Sequence, residues 1–274
     1  MNPSESLELV DSQAYASPAY QRPDSKLWLF CIKLSEHLFP KKGELIVGIN
    51  SIMRNLDDIA DGDREPPKGF TAISYLQKKR EFCQNPDNPE DDVDRYIRHC
   101  SDCAQGLGFD IQEELDDFFT YFMFDATRLN TGQVFSKVDL DQAYNACSRG
   151  TINGLIKVFG LAPDKFDVLA KMGKAVRIYY TLRDFEIDMA KGFVNIPLEE
   201  MEQYQIDQKD LSDRHSPGIR QWFQAQATLG MDWLKQHHEE VKKGNVPFLV
   251  QMIVPLMYER SARPYFEAVL ADKK

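Results

Sequence analysis

The sequence predicts an all-α protein, and three observations carry that reading. From Lys26 onward apolar residues recur with the helical period of 3.6. No window alternates with the period of two for long enough to make a strand. The periodic stretches are separated by breakers: EPPKG at 65–69, NPDNPEDD at 85–92, GLGFD at 106–110, LAPDK at 161–165, DRHSPG at 213–218 and KKGNVP at 242–247.

The elements follow in order. Residues 1–24 are polar, with Pro3, Pro18 and Pro23, and are expected to form a loosely packed N-terminal extension. Residues 44–61 carry Leu45, Ile46, Ile49, Ile52, Met53, Leu56 and Ile59 at helical spacing, with acidic residues gathered at the far end. Further helices are expected near 72–84, 91–106, 111–130, 138–159, 164–191, 219–243 and 246–271. No repeat and no strong linker divides them, so residues 25–274 read as one helical domain of eight or more helices.

Composition narrows the function. The net charge is −10, from 33 Lys+Arg against 43 Asp+Glu, which argues against binding a nucleic-acid backbone as the main task. Five scattered cysteines do not make a disulfide scaffold. The apolar stretch 248–258 is short and interrupted by Gln251 and Pro255, so no membrane span is expected. The first residues lack the charged and apolar regions of a signal peptide, and the expected location is the cytoplasm.

Two acidic clusters stand out. The first is Arg54-Asn-Leu-Asp57-Asp58-Ile-Ala-Asp61; the second is Arg183-Asp184-Phe-Glu-Ile-Asp188. In each, two aspartates four residues apart share one helical face. Like charges at that spacing destabilise a helix by roughly 0.2–0.5 kcal/mol per pair unless they are neutralised. Carboxylates suit Mg²⁺, a hard ion that commonly sits between carboxylates and substrate phosphates. Such clusters on facing helices would hold metal around one diphosphate, helped by Arg54 and Arg183. This explains how an acidic chain takes a polyanionic substrate.

These residues carry a resemblance. RNLDDIAD at 54–61 is similar to the first aspartate-rich motif of the squalene/phytoene synthase family. LRDFEIDMAKGFVNIPLEE at 182–200 is similar to its second motif, which reads approximately NxxRDxxxDxxxGRxYLP. YNACSRGTING at 144–154 resembles the helix preceding that motif, with Gly150-Thr151 as the closest match. The likeness spans roughly residues 26–271. It implies an isoprenoid-synthase-type helical bundle with a central cavity. Asp57, Asp58, Asp61, Asp184 and Asp188 would bind Mg²⁺ and the diphosphate of an allylic prenyl donor, and Arg54 and Arg183 would contact that diphosphate. Asp57, Asp61, Asp184 and Asp188 would be the catalytic set.

The departures bear on the substrate. Arg177 stands where the family usually has Gln, and Tyr180 where it has Asn. Phe193 and Asn195 replace the Arg and Tyr of GRxYLP. Asn50 stands where a tyrosine usually precedes the first motif; a second tyrosine aligns with Ala146, with Tyr144 nearby. The segment that helps bind a second diphosphate in the family is not recognisable around 27–33. Arg177, Tyr180, Arg183, Asn50 and Tyr144 are therefore the candidate substrate-binding residues. The expected function is Mg²⁺-dependent transfer of a prenyl group from one ionised diphosphate to a carbon acceptor, such as an aromatic small molecule. The alternatives are head-to-head condensation of two prenyl diphosphates, prenyl diphosphate hydrolysis, and a non-catalytic binding homologue.

Other features read as structural. Cys100-Ser-Asp-Cys103 follows His99 but has no second paired motif to complete a zinc site of four ligands. His237-His238-Glu239-Glu240 is expected on a solvated face. Asp125 and Arg128 are spaced to pair, beside a run of core aromatics at 118–124.

Overall fold

The structure, a computed structural model, describes residues 3–21, 23–243 and 259–272. The described residues are helical and contain no strand. Among them no helix is long and apolar enough to cross a membrane. The chain resolves into two compact units.

The first unit comprises Met1–Leu129 and Arg149–Phe159. Its helices are α1 (Pro3–Tyr15), α2 (Pro23–Leu38), α3 (Pro40–Ala60), α4 (Ala72–Gln84), α5 (Asp92–Gly106), α6 (Gln112–Arg128) and the last part of α7 (Lys137–Phe159). α2 and α3 form a tight corner, with Pro40 at the first turn of α3, where its missing N–H costs nothing. Gly43 is required there, because a Cβ would lie 2.3 Å from the Glu36 backbone. α3 buries Leu45, Ile52, Leu56 and Ile59, each worth about 1.5–3 kcal/mol on burial, and packs on α1, α2, α4, α5 and α6. Thr71 and Ser74 close a reciprocal capping box at α4, and Asp91 caps α5 through the Asp94 N–H at 2.9 Å.

The N-terminal segment departs from the expected loose arm. α1 packs on α3 and α5 and buries Val10 and Ala14. Its Asp11 accepts from Ser51 Oγ at 2.5 Å and from the Tyr96 hydroxyl, and Asn55 Nδ2 donates to the Val10 carbonyl at 2.9 Å. A few apolar residues among many polar ones make a weak periodic signal; the packing partners stabilise this helix.

The second unit comprises Asn130–Ser148 and Gly160–Lys274. It contains the first part of α7, then α8 (Phe166–Arg183), α9 (Phe185–Ala190), α10 (Leu198–Gln203), α11 (Pro217–Lys242) and α12 (Arg260–Ala271). α11 packs along α8, and α12 packs on both. The single helix expected at 164–191 is divided at Asp184, whose φ of −93° and ψ of 4° bend the chain. The helical hydrogen bonds from Asp184 N–H to Tyr180 O and from Asp188 N–H to Asp184 O persist across the bend. Of the helix expected at 246–271, residues 244–258 lie outside the described residues. His237, expected on a solvated face, is buried with Nδ1 2.8 Å from the Val168 carbonyl oxygen, and burial lowers its pKa.

Candidate active site

The first acidic cluster occupies the C-terminal turns of α3. Asp61 caps the helix, and Gly62 at φ +73° turns the chain out of it. Arg54 Nη1 meets Asp57 Oδ2 at 2.9 Å. Burial works against the Arg54 charge, but Asp57, Tyr20, Asp58 and Asp61 together outweigh it and raise its pKa. The Arg54 guanidinium also lies 5.7 Å from the Tyr20 ring centre, and the Tyr20 hydroxyl donates to Asn50 Oδ1 at 2.8 Å. A tyrosine from the N-terminal segment thus reaches the position where Asn50 replaces the family's own.

The aspartates of this cluster divide by environment. Asp57 and Asp61 are half-buried. Asp58, expected to join them as a metal ligand, is only 2% exposed. It accepts from Ser17 Oγ at 2.8 Å and from Arg64 Nη2 at 3.4 Å, and burial raises its pKa. Its contacts tie α3 to the segment after α1 and to the turn after α3.

The second cluster sits at the α8–α9 bend. Arg183 grips Asp184 through Nε at 2.9 Å and Nη2 at 2.6 Å. The Arg183 guanidinium carbon lies 4.6 Å from the Tyr180 ring centre. Tyr180 is 41% exposed. Asp188 Oδ2 accepts from Asn195 Nδ2 at 2.7 Å, and Asn195 Oδ1 accepts from the Tyr144 hydroxyl at 2.7 Å. Arg177 stacks over the Tyr144 ring at 3.7 Å and donates to Asp141 Oδ1 at 3.0 Å. Arg177, Tyr144, Asn195 and Asp188 therefore form one network. The loop carrying Asn195 is positioned by hydrogen bonds from Asn130 N–H to Lys191 O at 2.8 Å and from Gly132 N–H to Gly192 O at 3.2 Å. Gly192, at φ +79°, allows the approach, since a Cβ would meet the Asn130 backbone at 3.0 Å.

Several contributors are not evident as functional residues in the sequence. Tyr20 and Ser17 lie in the segment read as an arm. Asn195 is visible only as a departure from a motif. Asp125 and Arg128 pair as their spacing suggests, at 3.3 Å, and burial pushes the Asp125 carboxyl up to about 6. Asp57 adds to that rise, while Arg128 and a hydrogen bond with Tyr121 oppose it.

A surface cleft of about 740 Å³ in the first unit contains none of the residues of the two aspartate motifs. Its walls include the ion pairs Arg80–Asp116, at 2.7 Å, and Arg149–Asp117. These pairs neutralise one another and present no reactive group.

A family model described as squalene/phytoene synthase matches residues 36–272. The chain belongs to the squalene/phytoene synthase family. Its fold is similar to that of squalene synthase HpnC from Alicyclobacillus acidocaldarius, with a TM-score of 0.66 and 14% identity over 98% of this chain and 96% of that chain. A comparison with curated proteins finds no significant match. As a squalene/phytoene synthase family member the chain is a prenyltransferase-type enzyme. Its relatives act on prenyl diphosphates and are generally dependent on a divalent metal.

The donors suit that metal. Asp57, Asp61, Asp184 and Asp188 are half-buried carboxylates, the hard oxygen ligands that Mg²⁺ prefers. An arginine stands beside each cluster, paired with its first aspartate.

Proposed function

We propose that the protein ionises one allylic prenyl diphosphate and transfers the prenyl group to a carbon acceptor without a diphosphate, such as an aromatic or other electron-rich small molecule. The observation that carries this reading is the commitment of Arg177. Its guanidinium is stacked on Tyr144 and paired with Asp141, where the family has a neutral glutamine. A cation already compensated by a carboxylate is a weak anchor for a second diphosphate, and its bulk displaces the smaller amide. Asn195, in place of the motif tyrosine, is likewise bound to Tyr144 and Asp188.

Asp57 and Asp61 on α3, and Asp184 and Asp188 at the α8–α9 bend, would each hold Mg²⁺, which would supply Lewis-acid stabilisation of a departing diphosphate. Arg54 and Arg183 donate to the diphosphate oxygens, exchanging part of their contact with Asp57 and Asp184. Asn195 orients Asp188 by its amide hydrogen bond, and Tyr144 orients Asn195 in turn. Tyr180 offers a π face near Arg183 that stabilises positive charge on the prenyl group. Asp58 positions the first cluster by holding α3 through Ser17 and Arg64.

The test is diphosphate release by the purified protein with Mg²⁺ and, separately, dimethylallyl, geranyl, farnesyl and geranylgeranyl diphosphates, with and without aromatic acceptors. Products are identified by mass spectrometry, and Asp57→Ala and Asp184→Ala run alongside. Acceptor-dependent release that needs both aspartates supports the proposal. A C30 or C40 hydrocarbon from donor alone replaces it with head-to-head condensation. Prenyl alcohol as the sole product under every condition makes the protein a diphosphatase, and no release with any donor makes it a binding homologue.

A further inference from the structure

Three side chains outside both acidic clusters meet where α3 packs on α5. Glu44 stands near the start of α3, and His99 and Cys103 are one helical turn apart on α5. His99 Nε2 lies 3.0 Å from Glu44 Oε1 and 3.6 Å from Cys103 Sγ. One donor atom from each residue falls within 4.8 Å of the other two.

The surrounding packing fixes this arrangement. The His99 ring stacks on Tyr96 with centroids 6.2 Å apart and an interplanar angle of 18°. The Tyr96 hydroxyl is itself held by Asp11 of α1. Gly48, one turn along α3 from Glu44, lets the two helices approach: a Cβ there would lie 2.5 Å from Cys100 Sγ. Cys100 is fully buried, whereas Cys103 is half-buried. The His99 side chain is 29% exposed and that of Glu44 49% exposed, so solvent reaches the group.

We propose that Glu44, His99 and Cys103 form a Zn²⁺ site with three protein ligands and one solvent ligand, clipping α3 to α5. One imidazole nitrogen, one thiolate and one carboxylate oxygen are a donor set that zinc takes. At ordinary Zn–S, Zn–N and Zn–O lengths, a tetrahedral ion separates S from N by about 3.5 Å and N from O by about 3.4 Å. The observed 3.6 and 3.0 Å are within a few tenths of an ångström of that geometry. A thiolate and an imidazole disfavour Mg²⁺, so this site is chemically distinct from the aspartate clusters. Glu44 also precedes Asp57 by about 20 Å along α3 at the helical rise. Binding releases the Cys103 thiol proton to solvent. Because that proton must leave, zinc affinity increases with pH.

The experiment uses metal-free full-length protein titrated with Co²⁺ in excess Mg²⁺, so that the carboxylate clusters are held by Mg²⁺. The expected result is a near-ultraviolet thiolate-to-cobalt charge-transfer band with visible bands of tetrahedral intensity, saturating at a single equivalent and displaced by Zn²⁺. Cys103→Ser abolishes the charge-transfer band, whereas Cys31→Ser retains it. Glu44→Gln, on the surface, leaves the metal-free melting temperature unchanged and weakens Zn²⁺ binding by about tenfold or more. Zn²⁺ raises the melting temperature of the wild type and not that of Cys103→Ser. Absence of the charge-transfer band, or its survival in Cys103→Ser, overturns the proposal. Unchanged Zn²⁺ affinity in Glu44→Gln removes Glu44 as a ligand and overturns the three-ligand site.

Discussion

Asn195 donates its side-chain amide to Asp188 at 2.7 Å, joining a loop residue to the last aspartate of the second acidic cluster. The same amide accepts from Tyr144, whose ring carries the Arg177 guanidinium. Four positions that read separately in the sequence are therefore one unit chemically, and Asp188 is oriented from outside its own helix.

Asn195→Ala removes a hydrogen bond to a charged group, a loss of about 1.5–3 kcal/mol. The expected outcome is a fall of roughly 10- to 100-fold in kcat/KM for Mg²⁺-dependent diphosphate release. Asn195→Asp places a second carboxyl against Asp188, so the activity optimum moves to higher pH as well. A pH–rate profile of both variants checks this.

Asp57 and Asp58 are adjacent yet are predicted to differ in what their loss does to activity. Asp58→Ala leaves Ser17 and Arg64 without their acceptor and lowers stability by about 1–3 kcal/mol. Asp57→Ala also lowers stability, since Arg54 loses the carboxylate that does most to offset its burial. It abolishes diphosphate release as well. Urea denaturation and turnover measured on the same preparations separate the two roles.

Asp125 gives a pH dependence of stability with a definite sign. Its folded-state pKa of about 6 exceeds the unfolded value, so the folded chain binds this proton more tightly. The stabilisation is complete below about pH 4 and is lost as pH rises through about 6. Asp125→Asn carries no such proton and is expected to lose this component. Denaturant midpoints from pH 4 to 7, wild type against variant, isolate the slope.

Gly230 sits in α11 against Phe266 of α12, and a Cβ there would lie 2.5 Å from the ring. Phe266 is fully buried and has no room to retreat. Gly230→Ala is expected to lower stability by about 1–3 kcal/mol. Gly106→Ala, in a helical turn with nothing within 4 Å, is expected to raise it by about 0.5–1 kcal/mol. Thermal denaturation of the two variants makes the contrast.

Helical class, most helix positions and both aspartate motifs were legible in the sequence, because apolar period and i, i+4 spacing are local properties of the chain. The bend at Asp184 escaped that reading, since the backbone hydrogen bonds continue through it and the spacing is unchanged. The burial of Asp58 beside half-buried Asp57 depends on Ser17, 41 residues away from Asp58. Tyr144 and Asn195 are 51 residues apart, and only the seating of the Gly192 loop on Asn130 brings them together. Glu44 meets His99 and Cys103 because Gly48 lets two helices pack closely. The sequence by itself determined which residues could bind metal and phosphate. The tertiary structure decided which carboxylates are buried against distant partners and which stay half-exposed, because burial and hydrogen-bond partners arise where separate elements meet.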